Sequence, residues 1–370
     1  MIVDLILPHK ERFTDANAGA VAQLAYQLAV PFTADNKSTY RIFGSPVDTP
    51  KTKVAFCPIT AKPAFFQSKN KAFARAYLAQ LDPHNMPDLV EIHGRPEVAN
   101  LIARSRPDLN VALYLHNDPR AYRGAKSSQE RRQLLQKLSG LFCITNYVKS
   151  CFLDGVSATE DDLRKISVNL LGVDRPNLPR QQKENVILMV GRMVPEKGFL
   201  EACQAAAPIL QDHPDWKLQL VGGKDFISQT LSPYERRIKD ALAPIADQVD
   251  MRGHTALDEV RILQRSAAIC MVPSLWQEPG GLTVLEALAA GAALITTKKG
   301  GIPEFAQGRA VIVSDPSIRK FQDALSDLIK HPEKRTYWQD QAWQDYPFSA
   351  EEMAHRAHKF RQTISKSTTT

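Results

Sequence analysis

The stretch Gln277-Glu278-Pro279-Gly280-Gly281-Leu282-Thr283-Val284-Leu285-Glu286-Ala287-Leu288 sets two carboxylates on either side of a glycine turn that opens an apolar helix. Gly280 and Gly281 have no side chain to keep a ligand off their backbone. The helix starting near Leu282 presents unpaired N–H groups at its positive dipole end, and a diphosphate fits such an end. Glu278 before the turn and Glu286 after it can each accept hydrogen bonds from hydroxyl groups flanking that diphosphate. A surface loop that simply caps a helix would use the same residues, so the reading turns on what surrounds them.

Upstream, Val186-Ile187-Leu188-Met189-Val190 reads as a buried strand. It runs into Gly191-Arg192-Met193-Val194-Pro195-Glu196-Lys197-Gly198 and then into the helix-like Phe199-Leu200-Glu201-Ala202-Cys203-Gln204-Ala205-Ala206. Arg192 and Lys197 therefore stand at the carboxyl end of a strand, where open α/β sheets bind ligands, and they can neutralise a diphosphate. Two solvated surface cations are the alternative. Downstream, Ala293-Leu294-Ile295-Thr296-Thr297 reads as another strand, and Lys299-Gly300-Gly301-Ile302-Pro303-Glu304 as a tight turn entering a helix.

Taken together, these residues resemble the C-terminal half of the retaining GT-B glycosyltransferases of glycosyltransferase family 4, which include lipopolysaccharide core, mannosyl and sucrose-related transferases. Three motifs stand in the family's order: the Gly-Arg to Lys-Gly loop, the two glutamates separated by seven residues, and the Gly-Gly-Ile-Pro-Glu turn. The resemblance implies an α/β chain of two Rossmann-like domains facing across a cleft. An acceptor-binding domain over 1–175 would precede a nucleotide-sugar domain over 181–348, with a final helix over 349–366 crossing back to the first. It implies that Arg192 and Lys197 bind the donor diphosphate, Glu278 touches the donor sugar and Glu286 holds the ribose. Gly281, Leu282 and Thr283 would donate backbone N–H bonds, with Gly280 leaving them room. The base would rest after the strand ending Val249-Asp250-Met251-Arg252-Gly253-His254, which adds Arg252 to the donor side without fixing the base.

The first half fits more loosely. Ile2-Val3-Asp4-Leu5-Ile6-Leu7-Pro8 reads as the opening strand, and Asn17-Ala18-Gly19-Ala20 leads into a helix. The family usually has two glycines in that loop and this chain has only Gly19, placed on the acceptor side. Two further strands, Asp88 to His93 and Val111 to His116, each end in a histidine at the sheet's carboxyl edge. In the family a histidine at the second position lies close to the donor sugar, so His116 is the candidate for polarising the reacting centre; a structural histidine beside Pro119 is the alternative. His93 is either an acceptor contact or a residue that fixes the Gly94 to Pro96 turn. Asn169-Leu170-Leu171-Gly172-Val173-Asp174 resembles the run that closes the family's first domain, and the polar Arg175 to Asn185 stretch reads as a linker.

Composition agrees with two α/β domains: 370 residues suffice for two cores, and strands alternate with helical stretches. There is no Gly-x-Gly-x-x-Gly fingerprint of a dinucleotide enzyme. The +7 net charge sits wholly in residues 1–180, with 24 Lys plus Arg against 17 Asp plus Glu, while residues 181–370 hold 23 of each. Arg120, Arg123, Lys126, Arg131 and Arg132 cluster after His116. They would meet an anionic glycan or glycolipid acceptor or an acidic membrane surface, or else form a solvated helix face. Nucleic acid fits poorly, because no aromatic residues interleave the cluster.

No segment reaches the roughly 18 uninterrupted apolar residues of a membrane span. Asp4 inside the first apolar run, without a basic start, does not read as a secretory signal. Five scattered cysteines suit reduced thiols, so the expected location is cytoplasmic or peripheral on the inner face of the membrane. No Asp-x-Asp motif stands at a strand end, so no metal and no cofactor are expected beyond the sugar-nucleotide substrate. The expected activity is retaining transfer of a hexose-type sugar in lipopolysaccharide or other polysaccharide biosynthesis. A GT-B sugar-nucleotide epimerase or hydrolase and a non-catalytic sugar-nucleotide-binding protein are the alternatives.

Overall fold

The computed structural model describes all residues except 16–17, 34–37, 63–67, 176, 225–229 and 367–370. Asn17, Pro176 of the linker and residues 367–370 thus lie outside the described residues. The chain divides into two compact units, Met1–Gly172 with Ala350–Thr370, and Val173–Ser349.

The first unit is built on seven parallel strands: β1 (Ile2–Ile6), β2 (Thr39–Gly44), β3 (Ala55–Pro58), β4 (Leu89–His93), β5 (Val111–Leu115), β6 (Gly140–Cys143) and β7 (Ile166–Val168). Their order is β3-β2-β1-β4-β5-β6-β7. Every residue of β4, β5 and β6 is buried, as expected of parallel strands with helices on both faces. The buried Asp4 of β1 is tolerated because Arg41 grips it at 2.6 and 2.9 Å and the Tyr77 hydroxyl donates at 2.7 Å. The helix Ala350–Lys366 belongs to this unit. It is tied there by Tyr40 Oη to His358 Nδ1 at 2.7 Å, Asn169 Nδ2 to the Met353 carbonyl at 3.2 Å, and Phe360 edge-on to Phe142.

The second unit has six parallel strands: β8 (Glu184–Val190), β9 (Lys217–Val221), β10 (Val249–Gly253), β11 (Ala267–Val272), β12 (Ala293–Thr297) and β13 (Val311–Val313), ordered β10-β9-β8-β11-β12-β13. Ile187, Met189, Leu218, Leu220, Ile269 and Ile295 pack with the alanine-rich helix Phe199–Gln211 and with Phe321, Leu325 and Leu328. Each such large side chain contributes roughly 1.5–3 kcal/mol when fully buried. Val173 N–H donates to the Phe348 carbonyl, the Tyr346 hydroxyl donates to Val173 O, and the Arg175 guanidinium stacks 4.1 Å from the Trp343 ring. The unit therefore begins ahead of the stretch read as a linker.

Both sheets are α/β doubly wound, with the strand order reversing between β1 and β4 and between β8 and β11. Ligands of such sheets bind at the carboxyl ends beside that reversal. Among the described residues no helix is long and apolar enough to cross a membrane. All five cysteines are free thiols, four of them buried.

Candidate active site

In the second unit the reversal brings two loops together. After β8 the chain makes a short turn, Pro195–Lys197, and Gly198 at φ +70°. A Cβ on Gly198 would come 2.0 Å from the Pro273 carbonyl oxygen, so only glycine lets this loop dock on the chain leaving β11. Leu275 N–H completes the contact with the Glu196 carbonyl at 2.9 Å. Lys197 Nζ is thereby set 2.9 and 2.7 Å from the two carboxylate oxygens of Glu278. Ser274 Oγ and Trp276 Nε1 donate to the same carboxylate at 3.0 and 2.8 Å.

The Gly-Gly-Ile-Pro-Glu turn braces this loop from behind. Gly301 N–H donates to Glu278 O and Gly300 N–H to Gln277 Oε1, each at 2.7 Å. The helix Leu282–Ala289 follows, its N-cap Gly281 at φ +114° and no side chain capping it. The first-turn amides of Leu282 and Thr283 thus have no intrahelical partner and carry the positive end of the dipole.

Glu286, one turn on, is half-buried as a residue, yet its carboxyl group is closely surrounded. Burial raises its pKa, and a 3.3 Å hydrogen bond from Gln264 Nε2 and the charge of Arg261 offset part of that rise. Arg192 is exposed and has no ion-pair partner among the described residues. Arg252 stands on the edge strand β10, where it pairs with Asp250 at 2.6 Å and Glu259 at 2.9 Å. The structure thus brings Lys197, Glu278 and the Gly280 to Thr283 turn together, while Arg252 is engaged by its own carboxylates.

In the first unit, His93 ends β4 and His116 directly follows the neighbouring β5, and His93 Nδ1 lies 3.0 Å from His116 Nε2. His93 is fully buried. It therefore meets His116 and Glu91 where an acceptor contact or a turn-fixing role was expected. His116 keeps 9% of its surface exposed. Burial first, then the neighbouring His93, push the His116 pKa well below the ordinary histidine value, which keeps the ring neutral. Gly19 is the N-cap of Ala20–Ala29, with the Glu11 carboxylate close by and 3.4 Å from Ala22 N.

The basic cluster after His116 is largely spent inside the fold. Arg131 is buried and donates to the carbonyls of Phe152, Ala125, Lys126 and Asp154. Arg120 pairs with Asp118 and Asp154, and Arg132 with Asp162. Of the five cations expected to face an anionic partner, Arg123 and Lys126 remain. A different set gathers at the sheet's carboxyl edge. His9 Nδ1 meets Asn70 Oδ1 at 3.1 Å, and Asn70 Nδ2 donates to Glu97 at 3.2 Å. These bonds draw Lys10, Lys69 and Arg95 together; after burial, their charges are what lower the His9 pKa. None of the three has an ion-pair partner among the described residues. Sequence reading missed them, together with Ser274, Trp276 and Gln264, although each but Gln264 follows a strand end or opens a helix.

The comparisons with known proteins divide along the same line. Residues 173–345 match the family model described as Glycosyl transferases group 1. A putative glycosyltransferase of Bacillus subtilis, YtcC, is 26% identical over 232 residues, 58% of this chain and 56% of that protein. A lipopolysaccharide 1,2-N-acetylglucosaminetransferase of Salmonella typhimurium is 30% identical over 166 residues, 42% of this chain and 43% of that one. The matches thus span about half the length of these relatives. Among solved structures, a sucrose-phosphate synthase of Thermosynechococcus elongatus superposes with a TM-score of 0.78 at 17% identity, covering 99% of this chain and 100% of that one. Anabaena HepE in complex with UDP gives 0.73 at 15%, covering 98% and 100%. By sequence, residues 173–345 go with the group 1 glycosyl transferases, in a chain built of the two Rossmann-like units of the GT-B fold.

Proposed function

We propose that this chain is a retaining, metal-independent glycosyltransferase. It would move a hexose-type sugar from a nucleoside diphosphate to an acceptor hydroxyl, in the cytoplasm, during lipopolysaccharide or other cell-surface polysaccharide synthesis. The observation that carries the reading is the Lys197–Glu278 pair beside the uncapped start of Leu282–Ala289. It joins a cation, an anion-binding helix end and a hydroxyl acceptor, which are the three groups that a sugar diphosphate needs.

As the anomeric bond breaks, negative charge gathers on the diphosphate oxygen. Lys197, Arg192 and the amides after Gly281 stabilise it, and they supply positive charge without a metal ion. The acceptor hydroxyl forms the new bond at the anomeric carbon from the side the diphosphate leaves, and its proton passes to the departing phosphate oxygen. Glu278 orients the sugar and Glu286 holds the ribose; that the neutral His116 ring serves the donor sugar rests on the family resemblance alone. Retention rests on the family resemblance. The UDP bound by the HepE relative supports a nucleoside-diphosphate donor, and the Salmonella relative supports a lipopolysaccharide acceptor. Lys10, Lys69 and Arg95 favour an acceptor carrying negative charge.

The test is a thermal-shift screen with EDTA present against UDP, GDP, ADP and CMP and their sugar conjugates. One nucleoside diphosphate should raise the melting temperature, and the Glu286→Ala protein should lose the shift. No shift with any of them rejects the reading.

A further inference from the structure

Three buried side chains of the first unit that the proposed reaction leaves unused form a chain ending on His116. Arg361 grips Glu91 with Nε at 2.8 Å and Nη2 at 2.7 Å, and both side chains are 0% exposed. Glu91 Oε1 lies 3.1 Å from His93 Nε2. The contact is off the line of a good hydrogen bond, but Nε2 has no other partner among the described residues. His93 Nδ1 then lies 3.0 Å from His116 Nε2. The two rings are held at 19° to each other, and Tyr114 stacks on both with centroids 5.1 and 5.0 Å away. The Asn169 amide donates to the Tyr114 hydroxyl at 3.0 Å.

Proton counting along the chain leaves one neutral arrangement. Arg361 only donates and an ionised Glu91 only accepts, so their charges balance, and a neutral His93 leaves the buried cluster uncharged. With a carboxylate oxygen beside Nε2, the single His93 proton stays on Nε2 and Nδ1 keeps a lone pair. That lone pair needs a donor, and His116 Nε2–H is the group placed there. His116 is left with an unprotonated Nδ1, which has no protein partner among the described residues.

We propose that Arg361, Glu91 and His93 are positioning residues that hold His116 as the Nε2–H tautomer, so that its Nδ1 accepts a hydrogen bond from a substrate hydroxyl. The inference rests on the glycosyltransferase reading for what that hydroxyl belongs to. It goes beyond that reading in fixing the direction of the bond: His116 orients an O–H and repels a carbonyl or phosphate oxygen. It also gives the last helix a task at the sheet edge, since Arg361 lies 270 positions from Glu91.

The test is the histidine tautomers of the full-length protein, read from long-range proton–nitrogen correlations after imidazole labelling and assigned with His93→Gln and His116→Gln. The expected spectrum shows His116 protonated at Nε2 only and His93 neutral. His116 carrying its proton on Nδ1, or a doubly protonated His93, overturns the relay. Because the spectrum needs no substrate, the relay fails or stands separately from the nucleotide screen. Glu91→Gln supplies the kinetic arm. Its amide oxygen would face Arg361 and its NH2 group His93 Nε2, which moves the His93 proton to Nδ1 and the His116 proton to Nδ1. A wrong tautomer lowers turnover even where the geometry is kept, so kcat should fall at least about tenfold. Tautomers inverted with kcat unchanged also overturn it, and if Glu91→Gln fails to fold, the unmodified protein's spectrum decides.

Discussion

Lys197 Nζ stands 2.9 and 2.7 Å from the two oxygens of Glu278, with 21% and 13% of the side chains exposed. In the proposed function, the cation assigned to the diphosphate is therefore held on the carboxylate assigned to the sugar. Each holds the other in place while two further donors, Ser274 and Trp276, keep Glu278 from following Lys197.

Lys197→Ala should accordingly lower kcat by about two to three decades, the usual loss for one preorganised donor at a developing charge. Glu278→Gln should also lose activity, and the double variant should lose less than the two losses combined, because each single change also disturbs the partner. A partly exposed ion pair is worth about 1 kcal/mol or less, so the melting temperatures should stay close to that of the parent. Initial rates and melting curves on the four proteins check this. Additive losses would show that the pair does not act as a unit.

Gly300 and Gly308 offer a matched comparison. Both have positive φ, +58° and +77°, so alanine strains either backbone by about 1 kcal/mol or more. A Cβ on Gly300 would sit 2.1 Å from Glu278 O, whereas one on Gly308 meets nothing within 4 Å. Gly300→Ala should therefore push the Glu278 loop away and weaken nucleotide-sugar binding at least about tenfold, while Gly308→Ala costs only stability. Calorimetric titration with the donor separates the two.

These examples mark how far the sequence could be read. Ala293 to Thr297 appears in the structure with the bounds its apolar run predicts, and the strand read over Val111 to His116 stops one residue earlier, at Leu115; parallel strands buried on both faces leave an unbroken signature. The glycines of the turns were legible because positive φ narrows the choice of residue. The fate of the charged side chains was not. Arg131 and Arg361 look alike in the sequence to any surface arginine, yet one binds four carbonyls and the other a glutamate 270 positions away. Arg252 was read towards the donor because it ends a strand. Asp250 shares its face two residues back on the same strand, but Glu259 comes from the next helix, Leu257–Ser266, which the strand's own pattern does not encode.

Nucleotide binding should weaken in acid earlier than an ordinary carboxylate would require. Burial raises the Glu286 pKa above its usual value of 4.5, against the opposing pull of Gln264 and Arg261. In the proposed role, the ionised form accepts bonds from both ribose hydroxyls, so affinity should fall as pH drops through this raised pKa. The same shift means that the folded protein binds this proton more tightly than the unfolded chain. The cost of the buried charge is thus present above the folded pKa and relieved as pH falls towards 4.5. Titrations between pH 5 and 8 on the parent and on Glu286→Gln check the first point; the variant should bind more weakly at neutral pH and lose the pH slope. An unchanged slope would assign it to another group.

Lys183 shows the opposite linkage. Its Nζ donates at 2.8 Å to the carbonyls of both Arg265 and Ala290, at the ends of the helices Leu257–Ser266 and Leu282–Ala289. A cation suits two helix C-termini, yet burial outweighs this and lowers its pKa from 10.5 to about 8. The unfolded chain therefore holds this proton more tightly than the folded one, and stability should rise with pH between about 8 and 10.5, by a few kcal/mol at most. Below pH 8 the charged form pays the full desolvation cost. Lys183→Met should remove that rise while leaving both carbonyls without their donor, so it should be the less stable protein at pH 10 and closer to the parent at pH 7. Urea unfolding at the two pH values decides the matter, and because the second helix begins at the candidate phosphate site, a parallel loss of nucleotide affinity in the variant would tie its C-terminal anchor to the placement of its N-terminal amides.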